Sequence, residues 1–232
     1  MNRYNMETTR SNEQIIVVQN TLVRQVYAWM GLGLLLTALM ALVTISSPDL
    51  LQAIVGNKLI FYGLMIGELG LVAVLSGAIN RLSSTTATLL FLAYSALNGV
   101  TLSIIFLVYT ADSISSTFVI SAGMFGAMSA FGYLTKRDLT SWGSFLFMGL
   151  IGVVIASIVN IFLHSSAVSW FTSAIGVIVF TGLTAYDTWK IKAMAAQGQE
   201  GRKPAILGAL TLYLDFINLF LMLLRLVGNR RS

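Results

Sequence analysis

The chain contains no cysteine, two prolines, one histidine and few charged residues. Of its 232 residues, only 10% are Asp, Glu, Lys or Arg, whereas 56% are hydrophobic. The absence of cysteine excludes disulfides, thiolate catalysis and cysteine-bound metals. The scarcity of charge, with apolar runs of about 20 residues recurring along the whole length, excludes a soluble protein and indicates a chain that crosses a lipid bilayer several times.

Seven apolar segments are long enough to cross a bilayer as helices. Their bounds are Val26–Ser46, Leu59–Ile79, Ala87–Tyr109, Ile114–Leu134, Ser144–Leu163, Val168–Tyr186 and Ala205–Val227. Membrane barrel strands would instead be alternating segments of roughly ten residues, which the sequence lacks. The sequence therefore predicts an all-α membrane protein with seven transmembrane helices, of which the third and fourth form a tight hairpin.

The basic residues lie at the ends of these segments and differ in number between the two sides. Ten Lys and Arg lie on the side of the N-terminal tail and four on the other. This placement of a net charge of +5 indicates membrane anchors rather than a nucleic-acid surface. Because basic residues accumulate on the cytoplasmic side, we expect a cytoplasmic N-terminus and an external C-terminus. We divide the chain into a cytoplasmic tail, residues 1–22, and a transmembrane domain, residues 23–232.

The last apolar segment carries an aspartate, Asp215, near its middle. An ionised side chain at mid-bilayer costs about 2.5–3.5 kcal/mol on insertion scales and usually faces a bundle interior, a partner or water. At about 100° per residue, Asp215 shares a helix face with other polar or small residues. These are Gly208, Thr211, Asn218 and Arg225. We expect this face to pack inward, so that other helices surround the seventh.

Six helices before this distinct seventh suggest two units of three helices each. Two such units would have opposite orientations, as in transporters built from inverted repeats. The Gly-Val-Thr sequence at residues 99–101 and the Gly-Leu-Thr sequence at 182–184 occupy comparable places in the third and sixth segments. The predicted fold is therefore a central seventh helix surrounded by two three-helix units.

A second aspartate, Asp187, follows the sixth segment and precedes Lys190 and Lys192. It is either a cap at the membrane interface or a partner of Asp215. At 1.5 Å per residue, Asp215 lies about 15 Å into the membrane. The two acids therefore meet only if the sixth helix continues beyond Lys190 or if water enters from that side.

A meeting of Asp187 and Asp215 would have two chemical consequences. Two carboxylates within a few ångströms do not easily ionise together, so the pair would titrate as a unit and act as a proton-controlled latch. Deprotonated, the pair would offer oxygen ligands to Ca²⁺, which needs six to eight, the others coming from carbonyls, water or Asn218. We therefore predict a pH sensor and a candidate Ca²⁺ site at these two acids.

Two further charged residues are candidates for the same site. Arg81, at the cytoplasmic end of the second segment, has two compatible interpretations: a membrane anchor, and the counter-ion of a deprotonated Asp187. Glu68 lies near the middle of that segment, too far from Arg81 to reach it along one helix. Glu68 is either a functional acid or a protonated side chain hydrogen-bonded between helices.

Five stretches carry a resemblance to a known family. They read VYAWMGLGLLLTAL, SALNGVTLSIIF, TKRDLTSWGSFLFMGLIG, GLTAYDTWKIK and LTLYLDFINLFLMLLRLVGNRR. Together they resemble the transmembrane Bax inhibitor motif family, the Bax inhibitor-1-like proteins, over nearly the whole chain from Val23. The similarity is strongest to the enterobacterial inner-membrane members.

The resemblance implies a fold and a site. It implies seven helices with the seventh in the centre, and it assigns the paired aspartates of the family to Asp187 and Asp215. The arginine that latches to the first aspartate in the closed state corresponds to Arg81. Family members are described as pH-sensitive Ca²⁺ leak channels or exchangers, and eukaryotic relatives as suppressors of cell death. Some bacterial relatives associate with a membrane-bound protease.

Three functions are therefore compared. The first is a pH-sensitive calcium leak channel or cation transporter of the bacterial inner membrane, gated by the acid pair and needing no cofactor. The second is a non-transporting regulator that binds a membrane protease or another partner. The third is an intramembrane aspartyl protease, for which Tyr186-Asp187 fits one half of the usual motif. The other half, Gly-x-Gly-Asp, is missing because Tyr213 and Leu214 precede Asp215, so we expect no enzyme.

Overall fold

The computed structural model describes the backbone of residues 2–231 and the side chains of residues 17–231. Within this range the chain forms nine α-helices, α1 to α9, and one 3₁₀ turn at Ile79–Arg81. The α-helices are Asn2–Ser46, Pro48–Gly56, Lys58–Ala78, Ser84–Leu102, Ile105–Val108, Ala111–Leu134, Thr140–Leu163, Ser166–Ala196 and Arg202–Val227. Seven segments of the described chain are long and apolar enough to cross a membrane, which confirms the predicted all-α class and the number of spans.

The segment between the first two spans, which lies outside the predicted spans, forms a helix of its own, α2. Pro48 occupies its first turn, where the fixed φ of proline suits a helix and its missing N–H is not needed. Asp49 lies in the same turn, at the positive end of the helix dipole.

The third span is interrupted, whereas the sequence predicts one continuous helix. α4 ends at Leu102 and α5 begins at Ile105. The Ser103 N–H donates to the carbonyls of both Gly99 and Val100, at 3.1 and 3.3 Å. The Ser103 hydroxyl donates to Val100 O at 2.7 Å. These bonds tighten the last turn of α4 and end it without glycine or proline at the break.

Two spans extend beyond their predicted ends. α8 continues to Ala196, ten residues past the predicted end at Tyr186, and Gly198 with φ +80° follows it. Lys190 and Lys192 interrupt the apolar pattern but are compatible with a helix. α1 begins at Asn2, so the predicted tail is continuous with the first span. The division into residues 1–22 and 23–232 stays a prediction.

The chain divides into two compact units. Unit 1 contains Met1–Ile104 and Lys190–Thr211, and unit 2 contains Ile105–Trp189 and Leu212–Ser232. Unit 1 thus includes α1 to α4, and unit 2 includes α5 to α7 with most of α8. The two groups of spans correspond to the three-plus-three division drawn from the sequence. Their inverted relation stays a prediction.

In unit 1, α1 packs against α4 through small and polar side chains. The Thr37 hydroxyl lies 2.9 Å from Ser95 O on α4 and 2.9 Å from Gly33 O on its own helix. Ser95 in turn donates to Phe91 O at 2.9 Å. In a membrane, small and hydroxyl-bearing residues at a helix interface allow close packing and interhelical hydrogen bonds.

In unit 2, the segment after α9 folds back onto the connection between α5 and α6. We call residues 228–231 the C-terminal segment. An isolated antiparallel bridge joins Tyr109 to Arg230. Three hydrogen bonds accompany it: Thr110 N to Asn229 O (3.1 Å), Arg231 N to Val108 O (2.9 Å) and Asn229 N to Ser113 Oγ (2.9 Å). The hairpin of the third and fourth spans was predicted, whereas its contact with the C-terminal segment was not.

α9 is the most deeply buried of the candidate spans. In its most apolar window 72% of the residues are buried, against 6–44% for the other six in the described chain. Leu210 and Leu212 are both fully buried, although at about 100° per residue they lie on nearly opposite sides of the helix. This is the burial that the sequence predicts for a helix enclosed by others.

The contact between Ser113 and the C-terminal segment leads to a prediction. Ser113→Ala removes the acceptor of the Asn229 N–H, so we expect faster hydrogen exchange in residues 228–231. The expected loss of stability is about 0.5–1.5 kcal/mol, the net value of one hydrogen bond. Ser116→Ala is the matched control, because the Ser116 hydroxyl donates to a carbonyl of its own helix. Equal exchange in both variants, measured by mass spectrometry, would contradict the contact.

Candidate functional site

Asp187 and Asp215 meet inside unit 2. Asp187 is 9% exposed and Asp215 is 5% exposed. A side-chain hydrogen bond joins the two carboxyl groups. A hydrogen bond between two carboxyl groups requires a proton on one of them, so the pair can hold a proton between its oxygens. The sequence left open whether Asp187 and Asp215 meet. In the structure they do.

The extension of α8 makes this meeting possible. Because α8 continues to Ala196, Asp187 lies well inside a helix rather than at its end. The Cα–Cβ bond of a helical residue tilts toward the N-terminus of its helix. α8 and α9 are consecutive spans and cross the membrane in opposite directions, so Asp187 and Asp215 lean toward each other. Of the two conditions that the sequence left open, the continued helix is met.

Two glycines hold α8 close to its neighbours beside the acid pair. A Cβ on Gly132 of α6 would collide with the Ala185 backbone, with its Cα at 3.0 Å and its carbonyl oxygen closer still. A Cβ on Gly143 of α7 would lie 2.6 Å from the Tyr186 hydroxyl. Both contacts involve residues one or two positions before Asp187. Because the Gly132 contact is with the backbone of α8, the position of α8 beside this acid depends on the absence of a side chain at Gly132, whereas Gly143 makes room for the Tyr186 ring.

The predicted inward face of α9 is wrong in part. Gly208 and Asp215 are buried, but Thr211 and Asn218 are half-buried and Arg225 is exposed. Asn218 donates its side-chain amide to Leu214 O at 2.8 Å. Thr211 makes the same kind of bond to Leu207 O at 3.1 Å. These side chains satisfy their polar groups within α9, which removes the need to face inward.

Glu68 lies in unit 1 and has two hydrogen-bond donors there. Thr101 Oγ1 donates to its Oε1 at 2.8 Å, and Asn98 Nδ2 donates to its Oε2 at 3.2 Å. Both donors are on α4, so Glu68 is bonded between two helices. These donors were not predicted from the sequence, although Asn98 and Glu68 lie at similar distances from the turn that joins their helices. The predicted supporting role of Glu68 stays a prediction.

Arg81 is the last residue of the 3₁₀ turn and is exposed. It belongs to unit 1, in which the neighbouring Asn80 carbonyl lies 3.5 Å from Lys203 Nζ. The two basic residues place positive charge at this end of unit 1. The assignment of Arg81 as counter-ion of Asp187 stays a prediction.

The described residues contain no group of three or more His, Asp or Glu side chains that could hold a metal ion. Asp187 and Asp215 together offer two carboxyl groups, whereas Ca²⁺ takes six to eight oxygen ligands. Any Ca²⁺ at this pair would depend on carbonyls and water for most of its ligands.

Asp138 is an acid of a different kind, in the loop between the fourth and fifth spans. It accepts hydrogen bonds from Thr140 Oγ1 at 2.6 Å and from Thr140 N at 2.8 Å. These two bonds stabilise the carboxylate and hold the pKa of Asp138 below its ordinary value. Its contribution to stability is present at neutral pH and is lost only as the pH falls through this lowered pKa. Asp138 therefore stays ionised throughout the neutral range.

Seven membrane-length helices, with two buried aspartates bonded to each other on the last two, define a class of multi-pass proteins built around an intramembrane carboxyl pair. The family model described as inhibitor of apoptosis-promoting Bax1 (Bax1-I) matches residues 19–232. The chain belongs to this family, the Bax inhibitor-1-like membrane proteins, as its sequence motifs predict.

Relatives of the chain are similar over almost their whole length. The chain is 57% identical over 216 residues to the inner membrane protein YbhL of Escherichia coli strain K12. The aligned residues cover 91% of this chain and 92% of that relative. It is 47% identical to an uncharacterized protein of Borreliella burgdorferi, covering 95% and 97%. It is 46% identical to the uncharacterized protein RP147 of Rickettsia prowazekii, covering 98% and 97%. None of these three names describes an enzyme.

The close contact at Gly132 leads to a second prediction. Gly132→Ala places a methyl group against the Ala185 backbone, so α6 and α8 must separate. We expect a loss of about 1–3 kcal/mol in the free energy of unfolding, the usual cost of overpacking. Gly126→Ala is the matched control on the same helix, because a Cβ there meets nothing within 4 Å. Unfolding in mixed detergent micelles measures both, and equal stability would contradict the packing.

Proposed function

We propose that this protein is a pH-sensitive calcium leak channel or cation transporter, gated by Asp187 and Asp215. The observation that carries the proposal is the hydrogen bond between these two buried carboxyl groups. Buried acids in a membrane-spanning helix are costly, and such residues are typical of ion pathways and proton relays. Membership of the family and the assignment of its paired aspartates to these positions support the same function.

The proton shared by the pair would be the gating element. Loss of this proton leaves two adjacent carboxylates, which repel each other unless a cation lies between or beside them. A divalent ion entering the pair would relieve this repulsion. Regaining the proton would remove the negative charge and release the ion. Proton binding and ion binding would therefore compete for the same two side chains.

We further propose that the protein lies in the bacterial inner membrane with its N-terminus in the cytoplasm. The E. coli relative is named an inner membrane protein. The ten basic residues on the N-terminal side support the orientation. Asp187 would then lie near the cytoplasmic end of the sixth span, and the C-terminal segment would lie outside.

Calcium flux into proteoliposomes tests the acid pair. The wild-type protein is expected to give a flux that changes from acidic to alkaline buffer, and Asp215→Asn and Asp187→Asn are each expected to flatten this change. The amide keeps the size of the side chain but cannot lose the shared proton. Asp138→Asn is the control, because Asp138 stays ionised over the range and lies outside the spans. Its pH profile should follow that of the wild type.

The outcomes distinguish the proposed functions. A flux whose pH dependence survives both substitutions would exclude the pair as the sensor. No flux at any pH would favour the non-transporting regulator that binds a membrane protease or another partner. Cleavage of a helical substrate by the pure protein would favour the protease.

The predicted role of Arg81 has its own test. Arg81→Gln removes a positive charge that would favour the deprotonated pair, so we expect the pH dependence of flux to move to higher pH. Arg81→Lys keeps the charge and should move it less. An unchanged midpoint in Arg81→Gln, in the same liposome assay, would reduce Arg81 to a membrane anchor.

A further inference from the structure

Three buried side-chain oxygens in the described part of the chain have no hydrogen-bond partner. They are Ser129 Oγ on α6, Thr181 Oγ1 on α8 and Asp215 Oδ2 on α9. All three belong to unit 2. Buried polar atoms without a partner are rare, and an ordered water molecule or ion is a common explanation.

Ser129 and Thr181 differ from other buried hydroxyl groups on the same two helices. Ser121 on α6 donates to Thr117 O at 2.8 Å, and Thr184 on α8 donates to Phe180 O at 2.8 Å. This bond to the carbonyl four residues earlier is the usual way for a helical Ser or Thr to satisfy its hydroxyl. Ser129 and Thr181 do not make it, so both hydroxyls are available to another partner.

The contact between α6 and α8 places these two hydroxyls at one level. The helices approach most closely where Gly132 meets Ala185. Ser129 lies three residues before Gly132, and Thr181 lies four residues before Ala185, so each is about one turn from the contact on the same face. As the fourth and sixth spans, α6 and α8 cross the membrane in the same direction. Ser129 and Thr181 therefore lie on the same side of the contact along the helix axes, at about the same depth.

The contacts of α9 bring Asp215 to the same region. Phe125, one turn before Ser129 on α6, packs edge-on against Phe216 with ring centroids 5.5 Å apart. Phe216 is the neighbour of Asp215. On α8, Thr181 lies about 40° from Ala185, which faces α6, and about 120° in the other direction from Asp187, which faces α9. Thr181 is therefore on the side of α8 between its two neighbours.

We propose that one or two water molecules bind between α6, α8 and α9 and bridge the Asp215 carboxyl group to Ser129 and Thr181. A buried water usually makes two to four hydrogen bonds, and these three oxygens together supply that number of partners. Through the bound water the hydroxyls would exchange protons with Asp215 on the side opposite Asp187. The site would give the acid pair a route for protons that is built from residues of this chain. This proposal does not depend on whether the protein transports calcium.

Infrared difference spectroscopy of the full-length protein in liposomes tests the site. Spectra are taken as the buffer changes from acidic to alkaline, in ordinary water and in water labelled with oxygen-18. We expect a water O–H band that moves with the label, and a carboxyl C=O band that Asp215→Asn removes. In Ser129→Ala and Thr181→Val we expect the water band to weaken and the carboxyl band to move to higher frequency, because the acid loses a hydrogen bond.

Two further variants separate the water site from general damage. Thr181→Ser keeps the hydroxyl and should restore both bands, whereas Ser121→Ala removes a hydroxyl that is bonded within α6 and should leave both unchanged. The absence of any label-sensitive band would overturn the proposal. Bands that are the same in Thr181→Val and in the wild type would overturn it too, because the hydroxyl would then be bonded to a carbonyl of its own helix.

Discussion

The structure depends on one constraint, which is that a buried carboxyl group in an apolar span must find a partner for its charge or its proton. Asp215 lies in the most enclosed helix of the described chain, far from free water if the chain spans a bilayer. Its hydrogen bond to Asp187 gives the carboxyl group a partner and offsets part of the cost of burial. The length of α8 and the glycines beside it all serve this contact.

The same constraint explains how unit 1 treats its own acid. Glu68 is bonded by Thr101 and Asn98, which are neutral donors on a neighbouring helix. Neutral donors can bond either form of the carboxyl group without competing for its proton. Asp187, in contrast, is itself an acid, so it can compete with Asp215 for a proton. This difference is the reason that the proposed pH gate is placed at the acid pair and not at Glu68.

The spans and the acids could be predicted because both follow from the cost of polar groups in lipid. Runs of apolar residues gave all seven spans, and Asp215 was conspicuous in one of them. The partners were harder to predict. A helical serine or threonine can bond its own backbone or something else, so the sequence does not distinguish Ser121 from Ser129. The same ambiguity concealed the break at Ser103, where hydroxyl and backbone bonds end a helix that hydropathy alone would continue.

The C-terminal segment has a consequence for biogenesis. Residues 228–231 leave the ribosome after all seven spans, yet they bond the connection between the third and fourth spans. The hydrogen bonds between this connection and residues 228–231 can therefore form only after α9 has been synthesised, even if the hairpin inserts into the membrane earlier. These bonds of unit 2 come from residues made after α9, so a nascent chain stalled inside α9 would lack them.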